Sequence, residues 1–198
     1  MAKKIMILCA SPRKNGNTST VAGWVAESAK AAGAEVEIVD VAHMKYKANG
    51  CTACMGCQKS ANYECVIDDA ASAVIKRIPQ FDVLVLATPI YWFGPTAQLK
   101  LLLDRTFALV KFDPKTEELI ENKKSHQNTM CLIAAAGGSP EYGLTLVDDS
   151  FKAAAGFMKC RYESLLIPNA PQEPEEIAAN SAIKKKAQQL GKKLAAMS

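Results

Sequence analysis

Residues 9–20 have the sequence Cys9-Ala10-Ser11-Pro12-Arg13-Lys14-Asn15-Gly16-Asn17-Thr18-Ser19-Thr20. This stretch leads from an apolar strand into a helix, and most of its side chains can form hydrogen bonds. A helix start leaves its first backbone N–H groups unpaired and carries partial positive charge, so it favours an anion. The pattern predicts a phosphate-binding loop, although a polar stretch before a helix is, taken alone, more often a plain cap.

Length and composition predict one domain over residues 1–198. With 49% apolar and 22% charged residues, 198 residues suffice for one well-buried core and are few for two. The net charge of +4 is mild and is not gathered into a basic stripe, which argues against nucleic acid as a partner. The apolar run after Lys3 and Lys4 is too short for a signal peptide, and no later run could span a membrane. We therefore expect a cytoplasmic protein with no membrane partner.

Strand and helix patterns alternate along the chain. The predicted strands are residues 5–9, 35–41, 82–88, 129–135 and 160–167. The predicted helices are residues 18–32, 69–78, 96–109, 144–158 and 175–198. Residues 111–127 are polar and weakly patterned, which predicts a surface excursion or an arm that contacts another subunit. Fivefold alternation indicates an α/β fold with a doubly wound parallel sheet.

Three unusual loops follow strands of this sheet, at residues 11–18, 89–95 and 136–142. In doubly wound sheets ligands bind outside the carboxyl ends of the strands. The first loop has neither the G-x-x-x-x-G-K-[ST] spacing of a nucleotide P-loop nor the G-x-G-x-x-G of a dinucleotide site. A terminal monophosphate suits its donors, and the other loops supply Tyr91, Trp92 and Phe93 and a pair of glycines. A phosphate site beside an aromatic slot predicts flavin mononucleotide (FMN). The aromatic residues could instead be core or subunit contact, and the glycines a plain turn.

The motifs of all three loops resemble one family. They are Ser11-Pro12-Arg13 with Gly16-Asn17-Thr18, then Thr88-Pro89-Ile90-Tyr91-Trp92, then Ala136-Gly137-Gly138. The chain resembles the NADPH-dependent FMN reductase group of the flavodoxin-like superfamily, and within it the iron–sulfur flavoproteins. The resemblance implies a five-stranded parallel sheet in the order 2-1-3-4-5 and a homodimer or homotetramer in which a neighbouring subunit helps to cover the flavin.

The resemblance also implies the residues that bind FMN. Ser11, Arg13, Asn17 and Thr18 would hold the phosphate. Pro89, Ile90, Tyr91, Trp92 and Phe93 would line the flavin ring and ribityl chain, with Gly137 and Gly138 beside the ring.

Four of the seven cysteines lie in an insertion at residues 49–65, as Cys51-x2-Cys54-x2-Cys57-x7-Cys65. Tight Cys-x2-Cys steps bring thiolates together from one loop, as a [4Fe-4S] cluster requires. The spacing also resembles the compact motif of iron–sulfur flavoproteins, which makes a cluster the favoured hypothesis. The alternatives are a structural Zn²⁺ and free thiols or a redox disulfide. Cys9, Cys131 and Cys160 lie in apolar, strand-like surroundings, which predicts small buried hydrophobes.

The predicted function is an FMN-dependent oxidoreductase. It would take reducing equivalents from NAD(P)H or reduced ferredoxin and pass them to a small acceptor such as a quinone or a flavin, through the [4Fe-4S] cluster if the cysteines hold one. No catalytic acid is predicted, because the two histidines, His43 and His126, lie in polar segments typical of solvated surface. The alternative is a flavodoxin-like electron carrier without turnover, although a slightly basic chain differs from a carrier with a very acidic docking surface.

A phosphorylation receiver domain can share this strand order but fits less well. Such a domain needs acidic residues at the end of strand 1 and a lysine after strand 5. This chain has Cys9-Ala10-Ser11 and Pro168-Asn169 at those places.

Overall fold

The computed structural model describes residues 2–120 and 128–197. Its strands are β1 (Lys4–Cys9), β2 (Glu35–Asp40), β3 (Val83–Tyr91), β4 (Gly94–Pro95), β5 (Lys111–Phe112), β6 (Leu119–Ile120), β7 (Thr129–Ala135) and β8 (Arg161–Ile167). Five of them pair in parallel in the order β2-β1-β3-β7-β8. The predicted doubly wound fold with strand order 2-1-3-4-5 is therefore confirmed.

The helices are α1 (Asn17–Ala31), α2 (Gly56–Lys59), α3 (Ala70–Arg77), α4 (Ala97–Leu103), α5 (Leu144–Phe157), α6 (Pro174–Ala178) and α7 (Ser181–Ala196). Two 3₁₀ segments follow α3 and α4, at Ile78–Gln80 and Asp104–Leu109. The helix expected from residue 175 onward is divided, because Asn180 caps α7 by accepting a hydrogen bond from the Ile183 N–H at 3.0 Å. None of the helices described is long and apolar enough to cross a membrane.

The third strand is longer than the sequence pattern predicts. We expected it to end at Thr88, but β3 continues to Tyr91 and turns back into β4 through Trp92 and Phe93. Both turn residues have positive φ, at 47° and 63°. An apolar pattern does not reveal such a hairpin, since the usual Asn-Gly or Asp-Gly turn is absent.

The expected arm at residues 111–127 begins as a small hairpin, in which β5 pairs with β6. Residues 121–127, with His126, lie outside the described part of the chain. The second half of the expected helix at residues 96–109 is the 3₁₀ segment Asp104–Leu109.

The sheet separates two apolar cores. Alternate residues of β1 face opposite sides, so Ile5 and Ile7 pack with α1 and α7, while Met6 and Leu8 pack with α3, α4 and α5. The α7 helix lies against α1 at Gly191, where an added Cβ would stand 2.4 Å from the Val25 carbonyl oxygen. This close contact holds in place the helix that begins at the first loop.

Candidate functional site

A cleft of about 420 Å³ opens at the carboxyl ends of β1, β3, β7 and β8. It is lined by Ser11, Arg13, Gly16, Asn17, Thr18, Pro89, Ile90, Tyr91, Ala135, Ala136, Gly137, Ala170, Pro171 and Gln172. Eight of the eleven residues predicted to bind FMN are among them. The parallel sheet thus brings together three loops that are far apart in sequence, as its topology requires.

The first loop is not a side-chain cap. The residue that precedes α1 is Gly16, and within the described part of the chain no side chain accepts a hydrogen bond from the first turn of this helix. Ser11 instead shapes the loop, since its Oγ accepts from the Arg13 N–H at 3.2 Å and donates to the Arg13 carbonyl at 3.0 Å. The helix start therefore keeps its capacity to bind an anion.

Two side chains of this loop reach the segment after β8. Arg13 Nη1 donates to the Gln172 carbonyl at 3.3 Å, and Asn17 Nδ2 donates to the Pro171 carbonyl at 2.6 Å. Asn17 Oδ1 is buried and, among the described residues, has no hydrogen-bond partner. Because an unsatisfied buried acceptor is destabilising, this atom is available to a donor from a ligand or from water.

Three predicted residues lie outside the cleft lining. Trp92 is 94% exposed and Phe93 half exposed, at the tip of the β3–β4 hairpin. The Gly138 carbonyl accepts from the Asn169 N–H at 2.9 Å and so joins the loops after β7 and β8. Their assignment to the flavin ring remains a prediction.

The segment at residues 170–172 was absent from the predicted site. Its contribution includes the Pro171 and Gln172 carbonyls, which any residue type could supply. The available signal was its position, because this proline-rich loop follows the fifth strand and so reaches the same edge of the sheet. Gly16, Ala135 and Ala136 also line the cleft and were not predicted.

A second cavity, of about 290 Å³, contains all four cysteines of the insertion. The other residues that line it are Thr52, Ala53, Met55, Val66, Ile67, Arg105, Phe107 and Ala108. Cys57 is buried and Cys65 partly buried, whereas Cys51 and Cys54 are exposed. Within residues 2–120 and 128–197, no three potential metal-ligating side chains converge closely enough for a single ion.

Arg105 anchors one side of this cavity. Its guanidinium donates to both carboxylate oxygens of Asp69 at 2.7 and 2.8 Å, to the Ile67 carbonyl at 3.0 Å and to Cys65 Sγ at 3.4 Å. Burial raises the pKa of Asp69, but hydrogen bonds from Arg105 and from the backbone N–H groups of Lys47 and Ser72 outweigh this effect and lower it well below its usual range. Asp69 also caps α3, so one ion pair fixes both the helix and the cavity.

The loop from Cys51 to Cys57 has unusual backbone geometry. Ala53 and Met55 have φ of 53° and 55°, a region that side chains other than glycine rarely adopt. The turn places the Gly56 N–H at Cys54, and this hydrogen bond, with one from the Thr52 hydroxyl, lowers the pKa of the Cys54 thiol. The loop therefore favours a thiolate.

Of the remaining cysteines, Cys9 ends β1, Cys131 lies in β7 and Cys160 directly precedes β8. Cys131 is fully buried, and Cys9 and Cys160 are partly buried. Burial raises the pKa of each thiol, that of Cys9 to about 11. The prediction of small packed hydrophobes agrees with these positions. The other histidine, His43, is exposed as predicted, with Nδ1 2.9 Å from Asp40.

A family model described as NADPH-dependent FMN reductase matches residues 3–170. The chain belongs to this family. It is also 30% identical to an iron-sulfur flavoprotein of Methanocaldococcus jannaschii, over 52% of this chain and 51% of that protein. An iron-sulfur flavoprotein of Archaeoglobus fulgidus is 34% identical, over 52% and 44%. This member of the FMN reductase family thus spans about half the length of these curated relatives.

Solved structures share the fold. An FMN-dependent NADH-azoreductase of Bacillus anthracis, in complex with FMN, has a TM-score of 0.73 at 16% identity and covers 98% of this chain and 100% of its own. An NAD(P)H:quinone oxidoreductase from Methanothermobacter marburgensis has a TM-score of 0.73 at 15% identity, with complete coverage of both chains. These similarities confirm the flavodoxin-like fold.

Proposed function

We propose that the chain is an FMN-dependent oxidoreductase that transfers reducing equivalents from NAD(P)H or reduced ferredoxin to a small acceptor such as a quinone or a flavin. The observation that carries this proposal is the cleft, where eight residues predicted from the sequence lie together at the carboxyl edge of the sheet. Family membership supports FMN and a nicotinamide donor.

The first loop would bind the FMN phosphate. Arg13 supplies a guanidinium that no carboxylate neutralises among the described residues, while the uncapped start of α1 supplies backbone N–H groups. Ser11 holds the loop in shape, and Thr18 is buried beside it. Asn17 Oδ1 would accept a hydrogen bond from a hydroxyl of the ligand, which satisfies the orphaned atom.

The other loops would enclose the remainder of FMN. Pro89, Ile90 and Tyr91 form one wall of the cleft, and Gly137 leaves space for a flat ring to approach the backbone. Trp92, Phe93 and Gly138 would lie at its margin. Bound FMN supplies the redox chemistry, since a flavin accepts electrons in pairs and releases them singly. The protein would bind and position it.

The first test is a titration of the protein, freed of flavin, with FMN and with riboflavin, which lacks the phosphate. We expect FMN to bind at least about tenfold more tightly, since charged hydrogen bonds contribute roughly 1.5–3 kcal/mol. Equal affinity for the two would contradict the phosphate site. NAD(P)H oxidation is then measured with and without a quinone.

An electron carrier is the alternative of a different class. Such a protein would bind FMN equally well but would not sustain NAD(P)H oxidation with any small acceptor. If turnover required a ferredoxin-type donor instead of NAD(P)H, the protein would still be an oxidoreductase, but with a different electron donor.

We further propose that Cys51, Cys54, Cys57 and Cys65 bind a [4Fe-4S] cluster. They share one cavity, Arg105 lies against Cys65, and the strained loop favours a thiolate at Cys54. A four-iron cluster is held by thiolates spread around a bulky group, whereas Zn²⁺ needs all four sulfurs about 2.3 Å from one point. The run Cys51-x2-Cys54-x2-Cys57, with three thiolates from one loop, is more typical of such a cluster than of zinc, whose cysteine ligands more often come as two separated Cys-x2-Cys pairs. Two relatives named iron-sulfur flavoprotein support the same choice.

Anaerobic reconstitution tests the cluster directly, with iron, sulfide and visible absorbance measured on one sample. The parent should bind about four irons per chain, and a double variant with Cys54→Ser and Cys57→Ser should lose them. A matched control is Cys160→Ser, outside the cavity. A parent that binds no iron but forms a reversible disulfide would favour the redox-thiol alternative.

The chain would form one FMN-binding domain with residues 49–65 as an insertion, and would assemble as a homodimer or homotetramer in the cytoplasm. Exposed apolar side chains near the cleft support assembly: Tyr91, Trp92, Phe93, Tyr142 and Leu146. Sedimentation of the parent and of Trp92→Ala tests it, and a parent that stays monomeric would contradict it.

A further inference from the structure

Two basic side chains are buried beside the cysteine cavity, on the side that faces the protein. Arg105 is the first, with its side chain 0% exposed and paired with Asp69. Lys111, the first residue of β5, is the second and is 7% exposed. Both residues have apolar neighbours in sequence, but Arg and Lys side chains are rarely fully buried, so residue type alone does not predict their burial.

Lys111 is bound to the cysteine loop through carbonyl groups. Its Nζ donates to the Cys57 carbonyl and to the Ser60 carbonyl, the latter at 2.8 Å. It also lies 5.5 Å from the centroid of the Tyr63 ring. Among the described residues, no carboxylate forms an ion pair with it: Glu64 is close enough for Lys111 to contribute to its lowered pKa, but Glu64 forms its ion pair with Lys76, at 2.9 Å.

The charges of this region are therefore unbalanced. Among the described residues, Arg105 and Lys111 share a single buried carboxylate partner, Asp69, which pairs with Arg105. A buried charge is strongly destabilising unless it is paired, and carbonyl dipoles compensate an ammonium only partly. The excess positive charge lies behind Cys57 and Cys65, so a negatively charged group in the cavity would balance it.

We propose that Arg105 and Lys111 are positioning residues of the four-cysteine site, which hold Cys65 and Cys57 in place and balance the negative charge of the thiolates and their bound group. This inference rests on the proposed cluster. When dithionite donates one electron to such a cluster, the site gains one negative charge. Nearby buried cations stabilise that charge more than exposed ones do, and so they raise the reduction potential.

Three variants test the role of Lys111. Lys111→Met removes both charge and hydrogen bonds, Lys111→Gln removes the charge but keeps a donor, and Lys115→Met removes an exposed charge from the same hairpin. The first measurement is the alkylation rate of Cys57 in protein without iron, followed by mass spectrometry. The second is the midpoint potential of the reconstituted cluster, titrated with dithionite.

We expect Lys111→Met to increase Cys57 alkylation by about tenfold, because the turn opens more readily without its two hydrogen bonds. Lys111→Gln should alkylate near the parent rate, and both variants should have a lower midpoint potential. Lys115→Met should leave both quantities unchanged. If Lys111→Met does not fold, the midpoint potential of the reconstituted cluster in Lys111→Gln alone tests the inference.

Parent-like alkylation and parent-like potential in the Lys111 variants would overturn the inference. If neither the parent nor any variant takes up iron, the proposal that the four cysteines bind a cluster fails, whatever the role of Lys111. The alkylation rate of Cys57 then decides whether Lys111 positions the cysteine loop, because this measurement needs no iron.

Discussion

The cleft and the cysteine cavity are built in different ways. The cleft lies where parallel strands end, and much of its wall is backbone of the loops that follow β1, β3, β7 and β8. The cavity lies in the excursion between β2 and α3, and buried side chains from residues 105 and 111 hold it. The sheet topology thus positions the cleft, whereas buried charged side chains position the cysteine cavity.

The largest expected effect is on the free energy of unfolding, and it concerns the buried ion pair that holds the cysteine cavity. Arg105→Met leaves the Asp69 carboxylate buried without its partner and should lower the free energy of unfolding by roughly 3 kcal/mol or more. Urea unfolding measures it. Lys100→Met, which removes the exposed pair with Asp104, is the control and should change the free energy by less than about 0.5 kcal/mol. If both variants lost the same free energy of unfolding, burial would not make the Arg105–Asp69 pair more important for stability than the exposed pair.

Cys54 of the cavity and Cys9 of the sheet should differ in alkylation rate by about a hundredfold or more, because the raised pKa of Cys9 alone lowers its thiolate fraction about a hundredfold. At pH 8 a thiol with the pKa of Cys9, about 11, is almost entirely protonated, whereas hydrogen bonds lower the pKa of the exposed Cys54 thiol and so favour its thiolate form. Iodoacetamide labelling of iron-free protein should therefore modify Cys54 first, with fully buried Cys131 as the control for slow labelling. Comparable rates for Cys9 and Cys54 would contradict this ranking.

A backbone change should disturb the cleft without touching the cavity. Gly143 precedes α5 with φ of 103°, and an added Cβ would stand 2.7 Å from Ile90 Cγ2 and 2.9 Å from Phe93 Cα. Gly143→Ala should cost about 2 kcal/mol and weaken FMN binding, because Ile90 lines the cleft. Gly156→Ala in the same helix meets no atom within 4 Å and should stabilise by up to about 1 kcal/mol. If Gly143→Ala had the stability and the FMN affinity of the parent, the close contact of residue 143 with Ile90 would be contradicted.

Arg13→Ala should weaken FMN binding by about tenfold, since it removes a charged donor from the phosphate loop. Lys14→Ala, its exposed neighbour outside the cleft lining, should stay within about twofold of the parent. Fluorescence titration measures both. Iron binding should be unchanged in each variant, and a loss of iron would show that the two sites are coupled.

The smallest expected effect is the contribution of Asp69 to acid sensitivity. Its pKa is lower in the folded chain than its ordinary 3.8, so the stabilisation is complete above about pH 4 and decreases as the pH falls toward the folded value. The difference in unfolding free energy between the parent and Asp69→Asn should therefore shrink between pH 5 and pH 3, values chosen to bracket about pH 4. Asp68→Asn, at a fully exposed neighbour, should show no such change.

The sequence predicted most of the cleft lining, whereas at the cysteine cavity it predicted the four cysteines and not the buried basic residues beside them. Strand order and eight cleft residues follow from periodicity, turn chemistry and family motifs, because these act locally or through topology. The carbonyls of Pro171 and Gln172 carry no side-chain signal, and they meet Asn17 and Arg13 across more than 150 residues of sequence. Arg105 and Lys111 resemble surface residues in sequence, since only tertiary packing decides that they are buried.

The pairing of α1 with α7 has a consequence for folding during synthesis. The Ser28 hydroxyl donates to the Gln188 carbonyl at 2.7 Å, a contact that spans 160 residues. As the chain leaves the ribosome, α1 emerges before α7 and must wait for it with the surface around Val25, on which Gly191 packs, uncovered. The first loop of the cleft is thus made well before the helix that completes the packing of α1.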